Sequence, residues 1–272
     1  MKKLLYIAAI LALCAACSAA EEGGKSEKMV EWTFNALYTK AAISVPEGVF
    51  SWEAGDRVDV WDRSSGSFVP FTTVMGTGRF RATAPESCDF GDAAFYPSGA
   101  AASTSEVQLP SAYEDQAEAL RAFPMFAPVD KESSVLSFKH LGAIATLNFA
   151  SVQPESGTVT ISVAGKSISG SFGIQDSEGT KFILAAEGSG SVSIPFTMDL
   201  PGSFSVTVPL PTGTYALSVT VGSQGTFEIP ENTFERANLY RFATIYVDGI
   251  EPVLDSAGTE VFSLEDDSQN WI

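Results

Sequence analysis

His140 is the only histidine in the chain, and it lies inside an apolar, strand-like pattern, Phe138-Lys139-His140-Leu141. A metal centre needs further ligands such as cysteine or a second histidine at workable spacing, and the sequence supplies neither. No nucleophile-elbow sequence accompanies the many serines, so a Ser–His–Asp arrangement has no local support, and His140 is read as structural. Cys88 is the only cysteine outside the first seventeen residues. One thiol makes no intramolecular disulfide. With no histidine or basic cluster beside it to lower its pKa, Cys88 is read as a small apolar residue and not as a nucleophile. Glu265-Asp266-Asp267 lacks the spacing of a calcium loop and reads as a solvated acidic tail. Trp32, Trp52, Trp61 and Trp271 have the shape to stack on sugar rings, but packing on strand faces is the default for the first three. No catalytic residue, metal or cofactor is expected.

Cys17 carries different chemistry. Lys2 and Lys3 give a positive start, Leu4 to Leu13 is an apolar run of about ten residues, and Ala15-Ala16 precedes the cysteine. A permanent membrane span needs about 20 apolar residues, so residues 1–16 are read as a removable signal segment. Leu13-Cys14-Ala15-Ala16-Cys17 resembles a lipobox, whose last cysteine is acylated at sulfur and becomes the mature N-terminus. Cys14 stands where that pattern prefers leucine, yet acylation at Cys14 itself would put bulky Leu13 at the cleavage position. The alternative is an ordinary signal peptide cut near Ala19-Ala20. With the lipid, the protein is expected at the outer membrane, anchored and surface-exposed.

The elements that must carry these residues are almost wholly β. Val58 and Val60 alternate with Asp59 and Trp61; Val159, Ile161 and Val163 alternate with Thr and Ser; Phe204, Val206, Val208 and Leu210 form a period-two set, as do Tyr215, Leu217, Val219 and Val221. Glu47-Gly48, Ser65-Gly66, Glu155-Ser156-Gly157, Ser177-Glu178-Gly179 and Pro211-Thr212-Gly213 punctuate them. Only Tyr113–Ala122 resembles a helix, three turns at most. Many short alternating strands between turn signals imply β-sandwiches. Ser18 to Lys28 is polar and reads as a tether over 17–28. The polar stretch 128–134 divides the body into an N-terminal domain, 29–133, and a C-terminal one, 134–250, followed by a tail, 251–272. Leu136 and Phe138 fall on one strand parity and Leu141, Ala143 and Ala145 on the other, which predicts a bulge near Gly142.

Composition bounds the partners. The 272 residues are 45% hydrophobic, enough for one large core or two ordinary ones. Loss of Lys2 and Lys3 with the signal leaves 14 basic against 33 acidic residues, a net charge near −19. That balance excludes nucleic acid as the natural partner, since phosphates demand basic patches.

Five fragments carry a family resemblance. Trp52-Glu53-Ala54-Gly55-Asp56-Arg57-Val58-Asp59-Val60 resembles the W-x-x-G-D-x-I/V-x-V stretch of the fimbrillin-like proteins, the type V pilins of Bacteroidales and their accessory relatives. Ala94-Phe95-Tyr96-Pro97 is similar to their A-F/Y-Y-P, Val107-Gln108-Leu109-Pro110 with Gln116 to their V-x-L-P…Q, and Pro124-Met125-Phe126-Ala127 to their P-M-x-A. Leu136-Ser137-Phe138-Lys139-His140-Leu141-Gly142-Ala143 resembles their L-x-F-K-H-L-x-A. The fragments stand in the family's order between Phe50 and Phe149.

The resemblance implies an all-β chain of two transthyretin-like β-sandwich domains in tandem. It also implies a non-enzymatic pilus subunit or accessory adhesin, with other pilus subunits, including copies of itself, and a host or glycan receptor as partners. Family stalk subunits lose their first strand to a protease and accept a neighbour's C-terminal strand in the groove left behind. Here Met29–Tyr38, with Val30, Trp32 and Phe34 on one face, is the candidate removable strand, and Lys40 the candidate processing site, where stalk subunits carry arginine. In the tail, Phe262 and Leu264 share one face and are the candidate donor-strand anchors; the alternative is that the tail folds onto its own domain. Asp255-Ser256-Ala257 is similar to an O-glycosylation acceptor centred on Ser256, or else is a plain turn. A surface glycan-binding lipoprotein is the rival reading, and it requires Trp52 and Trp61 to share an exposed face. The parity of Trp52 with Val58 and Val60 favours its burial, whereas Trp61 lies on the other face.

Overall fold

Apolar–polar alternation becomes strand almost everywhere. The computed structural model describes residues 27–36, 42–44, 49–130, 132–151, 155–177, 180–198, 202–247 and 259–263. Among the described residues the chain is all-β except for a single short helix, α1 (Gln116–Arg121), whose N-cap Asp115 accepts a hydrogen bond from the Glu118 backbone N–H. The longest sheet has eight strands in the order β11 (Val135–Leu136), β1 (Met29–Ala36), β6 (Arg79–Pro85), β5 (Ser67–Thr73), β4 (Arg57–Asp62), β7 (Phe90–Tyr96), β10 (Met125–Val129) and β12 (Lys139–His140). A four-stranded sheet runs β16 (Thr180–Ser189), β15 (Ser169–Ser177), β9 (Glu106–Leu109), β8 (Ala101–Ser103). β18 (Gly202–Leu210), β13 (Ala143–Ser151), β21 (Asn238–Arg241) and β23 (Glu260–Ser263) form another, with β22 (Ile245–Tyr246) also on β13. The fourth is β17 (Ser191–Met198), β14 (Glu155–Ser162), β19 (Gly213–Val221), β20 (Gly225–Phe234), and β2 (Ala42–Ser44) pairs with β3 (Val49–Ser51).

The eight-stranded sheet bends around its own core. Its end strands β11 and β12 are separated in sequence only by Ser137 and Phe138. Rings from strands far apart in the sheet order meet inside it: Phe34 of β1 lies 6.0 Å from Phe90 of β7 between centroids, and Trp52, from the segment between β3 and β4, touches Phe80, Tyr96 and Phe138. Downstream, the β13-centred and β14-centred sheets face each other across a second core. Val159, Ile161, Val206, Val208, Leu217, Val219 and Val221 all reach it, as their alternation predicts.

Strand pairing crosses the division at 133/134. β11 and β12 complete the first sheet from beyond it, and β9 pairs with β15 from Leu109↔Gly170 to Glu106↔Gly173. Tyr113 and Ala119 of α1 and its approach lie in the second core. A third cluster, with Phe95, Phe126, Val107, Leu141 and Phe172, seals the outer face of the first sheet against β9 and β15. The parity change near Gly142 is not a bulge. β12 belongs to the eight-stranded sheet and β13 to the β18–β13–β21–β23 sheet, with a bend at 141–142, so the chain changes sheet there and its core-facing parity changes with it.

Candidate functional site

β1 is a strand because Val30, Trp32 and Phe34 alternate with Glu31, Thr33 and Asn35, and it is held from both sides unequally. It pairs antiparallel with β6 from Met29↔Pro85 to Asn35↔Arg79, but parallel with β11 only at Asn35↔Val135 and Ala36↔Leu136. Most of its outer edge therefore meets no strand among the described residues. Its inner face is nevertheless core. Phe34 is 6% exposed and packs edge-to-face on Phe71 and Phe90. Trp32 meets Phe90 edge-on at 5.0 Å, and its Nε1–H donates to the Pro85 carbonyl at 3.3 Å. Outside, Glu31 pairs with Arg81 at 3.7 Å. A strand with one long partner, one two-residue partner, one buried ring and one half-buried ring is weakly fenced by the backbone and strongly held by its side chains.

The tail lies elsewhere. β23 adds antiparallel to β21 at the edge of its sheet, from Asn238↔Ser263 to Arg241↔Glu260. Phe262 is half-buried against Phe123, Ile144, Leu239 and Leu120, and the Arg241 guanidinium sits 5.0 Å from its ring centroid. Arg241 also pairs with Glu260 at 3.5 Å, while Val261 stays 52% exposed. The described part of the tail thus folds onto its own half.

Cys17, Lys40, Ser256, Leu264 and Trp271 lie outside the described residues. His140 is buried on β12, opposite Met125 of β10, and Arg236 donates to its carbonyl at 3.1 Å. Burial, then the nearby Asp62 carboxylate, push the Cys88 thiol up, away from the reactive thiolate. Burial also opposes the charge on Asp62. Even so, hydrogen bonds from Ser64, Ser65 and the Asp89 backbone hold that carboxyl well below the usual range. Trp61 is half-buried and packs edge-on to Phe68 at 4.9 Å, on the face opposite Trp52.

Two motif residues acquire physical reasons. Gly55 has φ +93°, a conformation that favours glycine, and Asp56 turns back to accept the Glu53 N–H at 2.7 Å, which aims Trp52 into the first core. Burial raises the Asp56 carboxyl above its ordinary value, against that backbone hydrogen bond. Gln116 closes the edge of β18, which meets no further strand among the described residues. Its amide N–H donates to the Thr207 carbonyl at 3.1 Å and its carbonyl accepts the Thr207 N–H at 2.9 Å, as a neighbouring strand would. The wide seat under Trp32 was missed in the sequence. Its signal was the small pair Ala82 and Ala84 on one parity of β6, opposite Trp32 and Val30.

No family model and no curated protein matches the chain. A solved structure from Bacteroides ovatus, described as a candidate cell adhesion protein, superposes with a TM-score of 0.56 at 17% identity, covering 89% of this chain and 100% of its own. This is a fimbrillin-like fold. At 17% identity the likeness establishes the fold. Similarity extends to a candidate cell adhesion protein of Bacteroides uniformis (17% identity, TM-score 0.47, 85% of this chain and 95% of that one). It extends also to the tip fimbrial protein Mfa3 of Porphyromonas gingivalis with C-terminal truncation (9% identity, TM-score 0.41, 86% and 99%).

Proposed function

We propose that this chain is a non-enzymatic surface lipoprotein, a fimbrial subunit or accessory adhesin. It is anchored in the outer membrane through acylated Cys17 and engages other subunits by β-strand exchange. The observation that carries the reading is β1: a strand close behind an export signal, almost at a sheet edge, yet supplying two rings to the core. Its removal exposes apolar surface and unpaired backbone together, which an incoming strand satisfies together. The like-folded Bacteroides ovatus protein, described as a candidate cell adhesion protein, supports the same role. In this reading Lys40 is the processing site, residues 17–28 are the tether, and the domains divide near 133/134. Phe262 and Leu264 anchor a donor strand when the tail leaves its own half, and Ser256 carries a glycan. The glycan-binding alternative gains no support from Trp52 and Trp61, which are both half-buried, Trp52 against the first core and Trp61 against Phe68.

Mass spectrometry of material sheared from the cell surface tests this. The expected products are an N-terminal peptide beginning at diacylated Cys17, a population beginning after Lys40, and excess mass on the peptide containing Ser256. A mature N-terminus at Ala20 or beyond without lipid removes the anchor. A complete absence of the population cut after Lys40 in polymeric material removes the processing step.

A further inference from the structure

The seat beneath β1 is shaped for two side chains of particular size. On β6, Phe80, Ala82 and Ala84 face Phe34, Trp32 and Val30 across the ladder. The alanine opposite Trp32 leaves the width that an indole fills, and the Pro85 carbonyl receives the indole N–H. Two residues on, Phe34 closes against Phe71 and Phe90. Interiors pack at the density of organic crystals, and a smaller occupant leaves a void because the surroundings relax only in part. A strand that replaces β1 must therefore carry an indole and, two residues away, a phenyl ring.

The chain's own tail has no such pair. Between Glu251 and Ile272 no two aromatic residues stand two apart, and the alternating apolar pair is Phe262 and Leu264. A phenyl in place of the indole leaves the Pro85 carbonyl without that donor, and a leucine in place of Phe34 lacks the ring that meets Phe71 and Phe90. The tail also has a competing site at home, where Phe262 already packs on Phe123, Ile144 and Leu239 beneath Arg241. We infer that the groove under β1 selects a donor strand bearing tryptophan and phenylalanine at alternate positions from a different polypeptide, and that copies of this chain do not link through their own tails. The inference rests on the strand-exchange reading and names its partner class, a heterologous aromatic strand.

The test uses the full chain with a specific protease site placed between residues 36 and 42, cut and stripped of β1 in mild denaturant. Three labelled peptides are then offered: residues 28–38, residues 257–268, and residues 257–268 with Phe262→Trp and Leu264→Phe. The 28–38 peptide rebinds, and the doubly substituted tail binds at least about tenfold more tightly than the natural tail, about 1.4 kcal/mol. A ratio below tenfold overturns the selectivity and leaves strand exchange standing. Failure of the 28–38 peptide to rebind a chain that circular dichroism shows to be folded overturns both.

Discussion

The two cores are built from different stock. The first is aromatic: Trp32, Phe34, Trp52, Phe71, Phe80, Phe90, Tyr96 and Phe138 meet mostly edge-to-face inside one bent sheet. The second is mainly aliphatic, with Val, Leu and Ile interleaved between two facing sheets and two ring stacks, Phe149–Phe204–Phe196 and Tyr215–Phe234. In the aliphatic core apolar area is shared among many similar residues on many strands. In the aromatic core a few large rings carry it, and β1, whose partner on one side is only two residues long, holds two of them. A core arranged that way can lose one strand and keep a vacancy shaped by rings, whereas β13 and β19 each thread four residues through the middle of the aliphatic core.

The largest expected effect tests that concentration directly. Phe34→Ala costs about 3–5 kcal/mol in a denaturant titration, because a ring that is 6% exposed is replaced by a cavity. A cost below about 1 kcal/mol would mean that β1 is not part of the core and would end the comparison. Next comes the edge that α1 protects. Gln116→Ala leaves the Thr207 N–H and carbonyl without their amide partner and costs about 1–3 kcal/mol. Hydrogen exchange at the Thr207 amide quickens, while amides in β14 and β19 do not change.

The smallest effect is a pH dependence confined to the first half. Asp62 is held below the ordinary carboxylate range, so the stability it lends is fully present above about pH 4 and is lost as pH falls through its depressed value. Asp62→Asn therefore lowers the melting temperature at pH 7, and the gap to the parent narrows only under strongly acidic conditions. A gap that widens on acidification contradicts the assignment. Asp56 has the opposite sign, since burial raises its carboxyl and mild acidification favours the fold there.

Much of this was legible in the sequence, because its signals were local. Alternation located β14, β18 and β19 and put Val159, Val208 and Leu217 in the core. Trp52 shares its parity with Val58 and its cluster with it too. What failed to show was non-local. Nothing in Glu106–Leu109 says that it will pair with Gly170–Gly173, because a ladder's partner is set by the whole fold and not by either strand. The parity change at Leu141 was visible, but a bulge and a change of sheet leave the same trace. At the candidate site, the inward face of β1 could be read from Val30, Trp32 and Phe34, while the fit between Trp32, Ala82 and the Pro85 carbonyl required the register.

The placement of β1 also bears on mechanics. The polypeptide enters this strand at Met29 and leaves it at Ala36, and the ladder to β6 spans Met29 to Asn35. A pull applied through residue 28 acts along the strand axis, while antiparallel hydrogen bonds lie across it. The rungs are then strained together in shear instead of opening one at a time like a zip, and Trp32 and Phe34 must be dragged past their ring partners in the same motion. Tension delivered from the N-terminal side therefore meets a shear geometry, although the same strand, peeled rung by rung from β6, would yield far more readily.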